Sequence, residues 1–146
     1  MRAPHLFGAV YIILLQDKKV LLARRFNTGF EDGKYSLPSG HIEPGESYKD
    51  AVIHEAKEEL GIEILPEDLE ITHLYHNNNK DDKREYMALY FKIKKWKGEP
   101  RNAEPEKCDD ICWFPLDAIP ENTISTVKDV LKNVSSKFCI GEIGYK

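Results

Sequence analysis

Between Gly40 and Ile62 the chain reads GHIEPGESYKDAVIHEAKEELGI, and this stretch limits the possible folds more than any other. The spacing predicts a helix over about 47–60, opened by Ser47 with Asp50 and stopped by Gly61 after Leu60. On such a helix Glu55, Glu58 and Glu59 stand at i, i+3 and i+4 and project from one face. Like charges at that spacing destabilise a bare helix by roughly 0.2–0.5 kcal/mol per pair. A bound hard cation with oxygen ligands is the direct way to offset this. The adjacent face carries Val52, Ile53, Ala56 and Leu60, an apolar stripe suited to packing on a sheet. A Glu-rich amphipathic helix taken alone is most often just solvated surface. Gly40 and Gly61, with Pro38 and the Pro44-Gly45 pair, add a shaped loop at both ends and favour a site.

The 146 residues suggest one domain, 1–146, with length enough for a sizeable core. Net charge is −4 and no long basic stretch offsets it, which argues against a nucleic-acid polymer as partner. Three cysteines, Cys108, Cys112 and Cys139, form neither a paired framework nor a usual zinc spacing, so reduced thiols in a cytoplasmic protein are expected. No apolar run approaches the roughly 20 residues of a membrane span. The apolar N-terminal run lacks a small-residue cleavage site after it and reads as a core strand, not a signal peptide.

Strands are expected at Leu6–Leu15 and Val20–Phe26, paired across the polar turn at 16–19, and at Leu69–Tyr75, Tyr86–Trp96 and Ile111–Phe114. The polar segment from Asn77 to Lys83 reads as a hairpin tip, and the segment 97–110 as a long loop. A second helix is expected over Thr123–Val134, with Ile124, Val127, Val130, Leu131 and Val134 on one side. The tail from Ser135 gives little signal. Two helices with five or six strands make an α/β or α+β domain with a mixed sheet.

The central stretch resembles the Nudix box, a family pattern of G-x5-E-x7-R-E-U-x-E-E-x-G-U with U a bulky aliphatic residue. Gly40, Glu46, Glu55, Glu58, Glu59, Gly61 and Ile62 fall on it in register, while His54 replaces its Arg and Ala56 its bulkier aliphatic. A looser likeness to MutT-type members runs from Val20 to Asn122, through VLLARR, YSLPSGH, WKGEP and WFPLDAIPEN. The resemblance implies an α/β fold, more narrowly an α/β/α sandwich with a mixed central β-sheet. It implies Mg²⁺ as cofactor, with Mn²⁺ an alternative ion. The ligands would be the carboxylates of Glu55, Glu58 and Glu59, the carbonyl of Gly40, and a later acidic residue, Glu104 ahead of Glu106. Glu55 would activate water. Arg25 matches a phosphate-contacting position, though an exposed strand-end Arg is an equal reading; strand alternation sends Arg24 and Arg25 to opposite faces. His41 is a candidate for phosphate. Asn122 falls at a purine-contacting position, but could equally cap the second helix. Glu46 is either a ligand or a residue serving the helix N-terminus. Tyr35, Trp113 and Phe114 are expected to be buried aromatics before base-stacking ones.

The implied activity is Mg²⁺-dependent hydrolysis of a nucleoside diphosphate linked to another moiety. The leading form is a nucleoside triphosphate, including an oxidised purine, cleaved to a monophosphate and pyrophosphate. Alternatives are ADP-ribose, dinucleoside polyphosphates, CoA or nucleotide sugars, and a non-catalytic nucleotide-binding module. Partners would be small-molecule nucleotides, with no membrane; a homodimer stays open because family members often form one. The family's Arg can grip a carboxylate with a bidentate fork, whereas His54 offers one N–H to one oxygen, so His54 is expected to orient a box Glu less firmly or to lie exposed on the flank.

Overall fold

The apolar N-terminal run folds as β1 (Leu6–Ile13), followed by the short β2 (Leu15–Gln16). The computed structural model describes residues 6–79, 84–135 and 137–145. Asp17 and Lys18, at φ 53° and 62°, make a two-residue turn into β3 (Lys19–Arg25). Two consecutive left-handed residues give a turn whose twist matches that of the strands it joins. β3 pairs β2 only at Leu15↔Val20 and Gln16↔Lys19. The expected hairpin between the first two strand runs is therefore confined to their ends, because the chain changes sheet near Leu14.

β1 instead lies in a five-stranded mixed sheet ordered β5-β1-β7-β6-β9. Its neighbours are β5 (Ser39–His41), antiparallel, and β7 (Arg84–Ile93), parallel. β7 pairs antiparallel with β6 (Leu69–Asn79), and β6 parallel with β9 (Cys139–Ile143). The second sheet is built on β3, which carries β2 and β4 (Tyr35–Ser36) along one edge and β8 (Cys108–Pro115) along the other. Three expectations change here. The strand expected at 69–75 continues through Asn77 to Asn79, into the segment read as a hairpin tip, whose residues 80–83 lie outside the described ones. The strand expected at 111–114 starts at Cys108. The tail supplies an edge strand, β9 (CIGEI), with Ile140 and Glu142 on an exposed face and Cys139, Gly141 and Ile143 on a half-buried one.

Strand alternation divides the core in two. Val10, Ile12 and Leu14 meet Phe91, Ile93, Leu21 and the box helix, whose Ala51, Val52, Ala56 and Leu60 are buried as the apolar stripe requires. Ile13, Val20, Leu22, Ala88 and Tyr90 face the other way, against Val127, Val130, Leu131 and Val134 of the C-terminal helix. The layers are thus helix, sheet, helix, an α/β fold with the expected sandwich. The C-terminal helix is α2 (Ser125–Lys132), and no helix among the described residues is long and apolar enough to cross a membrane.

The box helix has two parts. α1 (Tyr48–Glu55) begins at Ser47, whose Oγ accepts the Asp50 N–H at 3.1 Å. From Ala56 to Leu60 the winding widens into a π-helical turn, and Gly61 ends it at φ 67°. A side chain there would pay the left-handed cost, and its Cβ would lie 2.9 Å from Arg101 Nε. Gly61→Ala is therefore expected to lower stability by about 1–2 kcal/mol, measured by denaturant unfolding.

Candidate functional site

Glu55, at the end of α1, and Glu59, in the widened turn, both meet the loop that precedes the helix. Gly40, paired with Val10, brings its Cα against the Glu55 side chain, so closely that a Cβ on Gly40 would overlap the Glu55 carboxyl. The Ser39 N–H donates to Glu59 Oε2 at 3.1 Å. Glu104 is delivered by backbone bonds. The helix ends with unsatisfied carbonyls, and two of them are taken by the following loop: Arg101 N–H donates to the Leu60 carbonyl and Ala103 N–H to the Glu59 carbonyl, each at 3.0 Å. This lays the segment 101–104 along the helix end. A cleft results, lined by Glu59, Glu104, Ser39, Arg24, Arg25 and Lys107 among others. Glu106 is exposed and does not line it.

The carboxylates crowd one another. Burial, then the Glu58 charge, pushes Glu55 up to about 7. Burial, then Glu55 and Glu104, pushes Glu59 up to about 8. Glu104 is raised as well, by burial and then Glu58. These groups hold protons more tightly in the folded chain than in the unfolded one. From their ordinary value of 4.5 up to about 8 the folded protein binds more protons, so its stability falls as pH rises through that window. Without divalent cation, the thermal midpoint should drop between about pH 5 and about pH 8. Mg²⁺ at about 100 times its Kd should restore about 2.7 kcal/mol, or roughly 5–10 °C, at the upper pH. Calorimetric scans with and without Mg²⁺ measure both. Several hard oxygen donors gathered around shared negative charge are what such an ion requires, so the residues fit it.

His54 is not idle on the flank. Its Nε2 lies 3.0 Å from Glu58 Oε2 and its Nδ1 3.5 Å from Glu46 Oε2. Glu46 in turn accepts the Glu43 N–H through Oε1 at 3.0 Å, so it braces the loop before the helix.

The two arginines close β3 where its partner strand is irregular. β8 opposes Arg24 with Asp110 but Arg25 with Cys108, and the extra residue, Asp109, makes a bulge. Both residues border the cleft. Arg24 Nε donates to Asp109 Oδ1 at 2.7 Å. Arg25 Nε donates to the Phe30 carbonyl at 2.6 Å and Nη2 to Thr28 Oγ1 at 3.1 Å. The bulge pattern leaves no mark in the sequence.

His41 does not line the cleft; it stands next along β5 and stacks with Phe7 and Tyr86, ring centroids 6.4 and 5.6 Å away. Asn122 does not cap α2, whose N-cap is Ile124; its Nδ2 donates to the Gly33 carbonyl at 3.0 Å and its carbonyl accepts the Tyr35 N–H. Tyr35 is buried edge-on against Phe114 and donates to Asp110, as expected of a packing aromatic. The three cysteines are unpaired. Sequence reasoning passed over Ser39, whose backbone rather than side chain acts, and the carbonyl-capping role of 101–103; neither has a side-chain signature.

The NUDIX domain model matches residues 5–134. An ADP-ribose pyrophosphatase of Methanocaldococcus jannaschii is 30% identical over 113 residues, 77% of this chain and 64% of that protein. An NAD-capped RNA hydrolase NudC of Pseudomonas aeruginosa is 32% identical over 117 residues, 80% of this chain and 39% of that protein. The chain thus spans less than two thirds of either relative. In structure it is similar to a MutT NUDIX hydrolase from Burkholderia pseudomallei, with TM-score 0.82 and 24% identity, covering 90% of this chain and 99% of that one, a likeness of fold.

Proposed function

The chain belongs to the Nudix family, and from that premise we propose that it is a divalent-cation-dependent hydrolase of a phosphoanhydride bond in a nucleoside diphosphate derivative. The observation that carries this reading is the convergence of Glu55, Glu59 and Glu104: burial and neighbouring carboxylates push Glu55 up to about 7 and Glu59 up to about 8, and raise Glu104 as well. Crowded titratable groups in a cleft mark sites where structure is subordinated to chemistry. The carboxylates of Glu55, Glu58, Glu59 and Glu104 with the Gly40 carbonyl would hold Mg²⁺. When bound, the ion neutralises phosphate charge, polarises the phosphorus centre and acidifies water.

The chain's own groups do the rest. Glu55 accepts the proton of the attacking water, its carboxyl set against Gly40 at the end of α1. The Ser39 N–H fixes the Glu59 carboxylate. Arg25, held by Phe30 and Thr28, and Lys107 present positive charge at the cleft to anionic phosphates. The ring cluster of exposed Phe7 and His41 with half-buried Tyr86, on three neighbouring strands beside Gly40, offers a stacking surface for a base.

Nucleoside triphosphates, cleaved to monophosphate and pyrophosphate, are the first substrate class. A second reading is favoured by a particular observation: two sequence relatives are named for ADP-ribose and for NAD-capped RNA, in which a nucleoside diphosphate joins a second moiety. A panel of nucleoside triphosphates, including oxidised purines, with ADP-ribose, NAD and dinucleoside polyphosphates, assayed with Mg²⁺ and read by phosphorus NMR, separates the two by product. Binding without phosphate or pyrophosphate release on every member would leave a nucleotide-binding module.

A further inference from the structure

The helix carries His54-Glu55-Ala56-Lys57-Glu58, a histidine four residues before a carboxylate with a glutamate between. Residues at i and i+4 on one helix face can chelate a single ion, as the two histidines of H-E-x-x-H do for zinc. Here His54, Glu55 and Glu58 each place one ligand atom within 4.8 Å of the others. The closest pair, His54 Nε2 and Glu58 Oε2, is 3.0 Å apart. Two ligands at about 2.1 Å from one ion are about 3.0 Å apart at right angles and about 3.4 Å apart in the tetrahedral arrangement of zinc, so the pair needs only a few tenths of an ångström of adjustment. The ring's other nitrogen also has a partner: Nδ1 faces Glu46 Oε2 at 3.5 Å. A carboxylate on the far nitrogen is the usual company of a metal-bound imidazole, fixing its tautomer and raising its basicity. With His54 more than half exposed, at 57%, an ion has an open approach.

We propose that His54 is a metal ligand, which together with Glu58 and Glu55 binds a borderline divalent cation of the zinc class, with Glu46 orienting the ring. The inference rests on the function above only in sharing two carboxylates with it. Mg²⁺ prefers oxygen and gains little from the ring, whereas Zn²⁺, Co²⁺ and Ni²⁺ favour imidazole. An arginine at position 54 would offer no lone pair. The substitution of His for the family's Arg would then extend the ions this box accepts.

The test uses Zn²⁺ alone, without nucleotide. Long-range proton–nitrogen NMR of the labelled wild-type protein follows the imidazole nitrogens through a Zn²⁺ titration. The His54 Nε2 signal, assigned by its loss in His54→Asn, should move to a metal-bound position at one equivalent. Calorimetry should show Zn²⁺ binding weakened about 10-fold or more in His54→Asn and in Glu46→Gln, with Mg²⁺ affinity changed less than about 3-fold. A His54 ring unmoved by Zn²⁺, or equal weakening of Zn²⁺ and Mg²⁺, would overturn the proposal. Because the readout is on the ring, a nucleotide panel without turnover leaves a positive result intact, and turnover with an unmoved His54 ring sinks this inference alone.

Discussion

Glu59→Gln should lower kcat/KM by about 1,000-fold while making the metal-free protein more stable at about pH 8. The first half follows from position. Glu59 lines the cleft, its Oε2 is fixed by the Ser39 N–H, and it faces Glu55 and Glu104. An amide of the same shape keeps the packing but removes one negative charge from the group that would hold the cation. A loss of that size corresponds to about 4 kcal/mol of transition-state stabilisation. The second half follows from the same crowding. In the wild type, raising pH forces a charge onto a group whose burial and neighbours resist it. Glutamine cannot ionise, so the penalty disappears. Steady-state kinetics with Mg²⁺ and a thermal scan without it give the two readings. If activity and stability both stay unchanged, Glu59 is a surface charge and the proposed site is wrong.

Gly40→Ala should cost about 100-fold in kcat and lower the thermal midpoint as well. A methyl group at this position has no room, because it would overlap the Glu55 carboxyl. Either β5 is pushed off β1, where Gly40 pairs with Val10, or Glu55 swings away from the cleft. Overpacking of this kind costs about 1–3 kcal/mol, and a displacement of about an ångström at reacting groups can cost about 100-fold in rate. The two effects separate in a double mutant. Gly40→Ala with Glu55→Ala should recover the stability, since the overlapping atoms are gone, but not the turnover. Additive losses of stability in that cycle would show that the clash is not with Glu55.

How far the chain could be read without its structure varies with the range of the interaction. Ser47, Asp50, Glu55, Val52, Leu60 and Gly61 all act within a few turns of one helix, so local spacing reported the cap, the apolar stripe and the acidic face. The π-helical winding at Ala56–Leu60, which carries the Glu59 that meets Ser39, left no such mark. β9 escaped notice because its exposed face carries Ile140 beside Glu142 and its half-buried face carries Gly141, so the alternation of burial is not matched by an alternation of apolar and polar residues. The bulge at Asp109, which gives Arg24 its carboxylate partner, likewise has no pattern of its own in the sequence.

The sequence by itself determined the family, the helix with its carboxylates and the two apolar faces that sandwich the sheet, because these depend on residue type at short, fixed spacing. Only the tertiary structure decided which distant groups join them. Glu104 reaches the cleft because backbone N–H groups at Arg101 and Ala103 satisfy the helix-end carbonyls of Leu60 and Glu59. Glu55 fits because Gly40 has no side chain to exclude it, and His54 meets Glu46 because the loop before the helix folds back over it. Each of these contacts is made by backbone atoms or by chain path, to which a pattern of side-chain types is blind.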